Sequence, residues 1–243
     1  MLLRGTKKSL RADDVVRDAG GACDLVASEP NPSPDPKVSM HRYEIVSFTC
    51  PVHSAAKALP HIEKYMNGVD HGTLRACWTS EIGPLNEILL IREFADEAQR
   101  IAERERVSLA GNPFGIGDFV NAMSLDTYTL FPFLPPIAAG TFGPFFEVRS
   151  YTLKPSGLAP TIAAWKAGVP ARIAISPLIA AMYAIEGAAP RFIHIWPYKS
   201  LHERAMIRAS AVEAGVWPPK GGPDQILTMR NAIYVAAPFS PLI

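Results

Sequence analysis

Two short stretches of the chain alternate apolar and polar positions in the same way. Tyr43-Glu-Ile-Val-Ser-Phe-Thr49 and Phe146-Glu-Val-Arg-Ser-Tyr-Thr152 share glutamate, serine and threonine at matching places, and aromatic residues match aromatic residues. A period of two, with β-branched and aromatic residues, predicts strands. A helical stretch follows each, at about 54–68 and about 157–172. Two further alternating runs come next, about 73–82 and 86–94 in the first half and about 178–186 and 191–197 in the second. Gly83-Pro84 and Gly187 supply turn chemistry between the members of each pair.

A second helix is predicted in each half. Asp96 and Ser200 suit the N-cap, and Gln99 and Glu203 stand three places later, the spacing of a capping box. Each helix runs to a glycine, Gly111 or Gly215, the residue that commonly ends helices in the left-handed conformation. Ala98, Ile101, Ala102 and Leu109 fall on one side and predict the buried face of the first of these helices. Both halves then end on a strand, carrying Tyr128 or Tyr234, and on a proline-aromatic segment, Pro132-Phe-Leu-Pro-Pro-Ile137 or Pro238-Phe-Ser-Pro-Leu-Ile243. The ordered matches recur at a shift of about 103–106 residues. Each half therefore reads βαββαβ, a ferredoxin-like repeat of the α+β class. One such sheet leaves a face uncovered, and two tandem copies can cover each other as a pseudo-dimeric α+β barrel.

The repeats are expected at 40–136 and 146–243, with a Pro/Gly linker at 137–145. Residues 1–39 lack the pattern and include Glu29-Pro-Asn-Pro-Ser-Pro-Asp-Pro36, which suits neither a helix nor a central strand. They predict a disordered tail, with Met40 as an alternative start. The uncharged run from Thr129 to Phe146 is punctuated by prolines and glycines, so no membrane span is expected. Lys and Arg number 24 against 23 Asp and Glu, which excludes a strongly basic nucleic-acid binder. Cys23, Cys50 and Cys77 form no CxxC pair. They point to reduced thiols and a cytoplasmic setting, with the mitochondrial matrix as the alternative in a eukaryotic source.

Thr79-Ser-Glu-Ile-Gly-Pro-Leu-Asn86, followed by Glu87-Ile-Leu-Leu90, resembles the turn before an apolar strand in the NIPSNAP family. Phe146-Glu-Val-Arg-Ser-Tyr-Thr-Leu-Lys-Pro155, Ser176-Pro-Leu178, Phe192-Ile-His-Ile-Trp-Pro-Tyr198 and Pro238-Phe-Ser-Pro241 resemble further family segments. The resemblance spans 42–243 and implies a dimeric α+β-barrel fold, with no settled reaction and no catalytic set to carry over. The copies diverge where the second has Ile185-Glu-Gly-Ala-Ala-Pro190, and where His194 and Trp196 replace Leu90 and Arg92.

That divergence selects the candidate site residues Glu81, Asn86, Glu186, Arg191 and His194. Glu81 and Glu186 would pair if the repeats face each other, raising one carboxyl pKa. Asn86 equally suits a turn residue bonded to backbone. His194 lies in an apolar strand, with Phe192 and Trp196 on its side; inside a barrel it suits a base or a haem ligand, or a satisfied core histidine. His41, His53, His61 and His71 lack metal spacing, and the cofactor is left open. Arg100, Arg104 and Arg106 interleave with Glu97, Glu103 and Glu105, which reads as a solvated face. Trp78, Tyr183, Phe48, Tyr151 and Trp196 are expected in the core or around an apolar ligand cavity. A site is expected between a sheet and its helices, or at the barrel mouth. The expected function is a non-enzymatic binding module for a small apolar ligand or a protein partner, with self-association open. The alternative is a small oxygenase, isomerase or haem-handling enzyme.

Overall fold

The computed structural model describes residues 41–243, so the expectations for the 1–39 tail and for Met40 lie outside the described residues. The elements run β1 (Arg42–Thr49), α1 (Ala55–Met66), β2 (Thr73–Ile82), β3 (Glu87–Phe94), α2 (Glu97–Leu109) and β4 (Ala122–Leu130). They repeat as β5 (Phe145–Leu153), α3 (Leu158–Ile173), β6 (Ala180–Ala184), β7 (Arg191–Tyr198), α4 (Leu201–Glu213) and β8 (Ile226–Ala236). The order is βαββαβ twice, as the alternation and caps predict.

The strands close into one barrel in the order β1-β3-β2-β8-β5-β7-β6-β4. Each repeat supplies a ferredoxin-like sheet, β4-β1-β3-β2 or β8-β5-β7-β6. Antiparallel pairing of β2 with β8 and of β4 with β6 joins the two sheets. Each sheet thus covers the apolar face the other would expose.

Side chains alternate, so every strand has a lumen side and a helix side. Tyr43, Ile45, Trp78, Leu89, Phe146, Ile193, Ile195 and Tyr234 fill the lumen. Val46, Phe48, Ile88 and Leu90 pack with Ile62 of α1 and Val107 of α2. Tyr151, Phe192 and Trp196 pack with Trp165 and Val169 of α3. One end of the lumen is stoppered by two segments. Ile137 and Leu242 join the lumen cluster, Ile137 N–H donates to the Tyr43 hydroxyl at 3.2 Å, and Trp78 Nε1–H donates to the Leu242 carbonyl at 3.1 Å.

The second helices start on the expected caps. Asp96 accepts from Ala98 N–H at 2.8 Å, and Ser200 accepts from Glu203 N–H at 3.0 Å. Glu203 reaches back to Lys199 N–H, whereas Gln99 turns away to Asp70. Gly215 takes φ 64 and ends α4 as expected. Gly111 does not end α2: the chain leaves that helix at Ala110, which is extended (φ −70, ψ 134). The exit lets Phe114, at φ 53, fold back into the core between helix and sheet.

The expected apolar face of α2 is also overturned. Ile101 is 53% and Leu109 80% exposed, while Arg100, Glu103 and Val107 are buried. The inward face is charged because the strands beneath it carry buried Glu44 and Arg92, which need ionic partners. The charged run on α2 is therefore only partly solvated.

Candidate functional site

The five candidate residues fall in three places. Glu81 and Asn86 are exposed on the β2–β3 hairpin at the open end of the barrel. Asn86 adopts φ 54, and its carbonyl accepts from Cys50 N–H at 2.9 Å. Its tie to the turn is thus through backbone conformation, which asparagine tolerates better than most residues. Arg191 stands on the barrel wall nearby, with Nη2 2.6 Å from Asp126 and Nε 3.3 Å from the Tyr128 hydroxyl. At the equivalent strand position of the first repeat is Glu87, which accepts from the Tyr234 hydroxyl at 2.5 Å. Glu87, Asp126, Tyr128 and Tyr234 line a lumen cavity of about 550 Å³.

Glu186 is bonded to Arg104 and Thr127 of the first repeat, with Arg100 at 3.6 Å. Burial alone would raise its pKa; the Thr127 and Arg104 hydrogen bonds outweigh burial and hold it below the ordinary carboxylate value. That direction is opposite to the one a Glu81–Glu186 carboxylate pair would give. Through Arg104 it joins a buried ionic network that sequence reading missed. Arg92 donates to Glu44 at 2.8 and 2.5 Å and to Glu103 at 2.6 Å, and Arg104 donates to Glu44 at 3.0 Å. Arg92 also lies over the rings of Phe94 and Phe114, at 5.2 and 4.8 Å.

His194 stands on β7, and its side chain faces α3 and α4 rather than the lumen, since Ile193 and Ile195 take the lumen side. It is 2% exposed and lines a cavity of about 420 Å³ between sheet and helices of the second repeat. Trp165, Phe192, Trp196 and Trp217 form much of the wall, with Arg149, Arg172 and Arg208. Val212, Leu227 and Met229 lie at its exposed apolar margin. The first repeat has the corresponding space packed by Phe114 and Ile116 from the segment after α2. In the second repeat the corresponding segment, from Trp217 to Pro223, forms cavity wall instead.

The chemistry of His194 follows from one bond. Trp196 Nε1–H donates to His194 Nδ1 at 2.6 Å. An indole nitrogen is only a donor, so Nδ1 must be the acceptor. Burial first, and then the charges of Arg149, Arg208 and Arg172, hold the His194 pKa well below its ordinary 6.5, so the ring is neutral. A neutral ring accepting at Nδ1 carries its proton on Nε2. That Nε2 is buried and has no hydrogen-bond partner. His194 is thus a fixed donor. Ligating a haem iron or acting as a base through Nε2 would need the lone pair that the proton occupies, so the residues do not fit a haem ligand here. Among the described residues, no group of three His, Cys, Asp or Glu side chains could hold a metal ion.

Arg149, Arg172 and Arg208 were missed as site residues, as was Glu147. Glu147 is fully buried, and burial would raise its pKa; hydrogen bonding from Arg204 and the charges of Arg149, Arg204 and Arg208 bring it below the ordinary value. A signal for both networks was present. Glu44 and Glu147 are identical in the repeat, as are Arg100 and Arg204, and each glutamate sits within an otherwise largely apolar strand.

A sequence profile of the NIPSNAP family matches residues 43–135 and again 146–241. The chain belongs to the NIPSNAP family. Protein NipSnap of Drosophila melanogaster is 25% identical over 59% of this chain and 55% of its own length. A NipSnap homolog of Dictyostelium discoideum is 33% identical over 30% of this chain and 32% of its own length. The matched region thus spans about half or less of these NIPSNAP relatives. A Lactobacillus acidophilus NCFM protein, provisionally named a monooxygenase, shares the fold at TM-score 0.60 and 9% identity, covering 81% of this chain and 93% of its own. The NIPSNAP chain has no helix, among the described residues, that is long and apolar enough to cross a membrane.

Proposed function

We propose that this NIPSNAP chain is a binding module for a small, largely apolar molecule held in the sheet–helix cavity of its second repeat. One observation carries the reading. His194 keeps a buried, unpartnered N–H at the strand position where the first repeat has Leu90 under a filled core. An unpaired buried donor costs about 1–3 kcal/mol, which an acceptor on a ligand would relieve. The cavity volume of about 420 Å³ and its ring-lined wall suit a small molecule. The other reading, a small oxygenase or isomerase, rests on fold likeness, and one fold hosts many chemistries. A fixed donor also favours holding a ligand over abstracting its proton.

The test is a titration of the intact chain with the neutral dye N-phenyl-1-naphthylamine, exciting tryptophan. Saturable one-site binding is expected, with energy transfer from Trp165, Trp196 and Trp217, which stand at the cavity. Ala211→Phe, placed on the cavity wall, should abolish binding while the circular dichroism is unchanged. Dye binding that persists undiminished in the folded variant would reject this location.

A further inference from the structure

We propose that the ligand of the second-repeat cavity is an apolar anion, an aromatic or aliphatic body carrying one carboxylate- or sulfonate-type group. This rests on the small-molecule reading above and adds the ligand's charge. The two repeats differ in ionic balance. In the first, Arg92, Arg100, Arg104 and Arg106 are paired with its own Glu44, Glu97 and Glu103 and with Glu186, which reaches across from the second. In the second, Arg149, Arg204 and Arg208 all share Glu147, at 2.9, 2.6 and 3.5 Å. Arg172 is buried, hydrogen-bonds to Ser176 at 2.9 Å and lies 4.3 Å over the Trp196 ring. Three guanidinium groups therefore share one carboxylate, and among the described residues Arg172 is ion-paired with none. The sequence explains the surplus, since Ile207 stands where the first repeat has Glu103 and Leu201 where it has Glu97.

The surplus charge faces the cavity. Three of these arginines line it and no carboxylate does. Rings and prolines form most of the remaining wall, so the local dielectric is low and an unbalanced positive charge attracts an anion strongly. His194 Nε2–H adds a donor with no protein acceptor. An anionic head would accept from His194 and offset the arginines. Its body would lie against Trp165, Phe192 and Trp217. Arginine is well suited to this role, because it stays charged when buried and binds planar oxyanions by paired donors.

The test compares two dyes with the same aromatic skeleton on the intact chain. They are 8-anilinonaphthalene-1-sulfonate, which is anionic, and N-phenyl-1-naphthylamine, which is neutral. The sulfonate is expected to bind at least tenfold more tightly. Arg208→Gln, at a side chain 42% exposed, should weaken the sulfonate at least fivefold and the neutral dye by a clearly smaller factor. His194→Leu should weaken the sulfonate further. Equal affinities, or a sulfonate unaffected by Arg208→Gln, would overturn the anion assignment and leave the small-molecule reading standing. Binding of neither dye to the wild type would overturn both.

Discussion

At the residue scale, the second repeat turns on the exchange of Leu90 and Arg92 for His194 and Trp196. The indole N–H fixes the imidazole tautomer, and burial with three neighbouring arginines keeps the ring uncharged. This has a consequence for stability. The unfolded chain takes up a proton at this residue as the pH falls through about 6.5, and the folded chain resists it. His194 therefore contributes destabilisation that grows as the pH drops below about 6.5 and is absent above it. His194→Leu should flatten the fall in stability between pH 7 and 5, read as the difference in urea midpoints from wild type. A steeper fall in the variant would contradict the buried neutral ring. A second expectation concerns the proton itself: ¹⁵N spectra at pH 7 should show His194 as the neutral Nε2–H tautomer. Trp196→Phe, which removes the donor to Nδ1, should let the other tautomer appear.

At the element scale, α2 departs from the simple rule that the apolar stripe of a helix is its buried face. Its inward surface is ionic, and its isoleucine and terminal leucine face out. Ile101→Asn is therefore expected to change stability by no more than about 0.5 kcal/mol, as a surface substitution does. Arg92→Met should cost about 3–5 kcal/mol, because it leaves Glu44 and Glu103 buried without their shared partner. Chemical denaturation of both variants checks the pair, and reversed magnitudes would restore the apolar-face reading. The case also shows what was legible. Strand alternation, both second-helix caps and the Gly215 stop follow local rules and appear in the chain as written. Burial of an ionic pair does not, because Glu44 and Arg92 meet only when β1 and β3 are in register. The cavity is less legible still. His194 stood out as a polar residue in an apolar strand, but its side of the sheet and its Trp196 bond come from tertiary packing. The arginines around it arrive from β5, α3 and α4, three elements with no shared local motif.

At the scale of the whole molecule, the internal repeat explains closure, and the shortest ladder of the barrel, β4 with β6, lies where the copies meet. β1 pairs with β3 over eight positions, whereas β2 meets β8 over four and β4 meets β6 over three. Both seams are short, no longer than the four-position β6–β7 ladder, so the lumen core that both sheets share carries much of the closure. Leu242 is fully buried in that core and belongs to the segment that stoppers one end. The same segment is held by Cys77 N–H donating to Ser240 Oγ at 3.1 Å and by Trp78 Nε1–H donating to the Leu242 carbonyl at 3.1 Å. Main-chain and Ser240 contacts survive when the Leu242 side chain is cut back, so Leu242→Ala isolates its packing. A loss of about 2–5 kcal/mol is expected, the range for deleting a buried leucine in a core that relaxes only partly. Leu227→Ala supplies the contrast, because Leu227 lies on β8 with its side chain 58% exposed, and it should shift stability by no more than about 0.5 kcal/mol. Thermal or urea unfolding of the two variants decides the matter. If Leu242→Ala were as mild as Leu227→Ala, the stopper would be a loose tether, and closure would rest on the short seams instead.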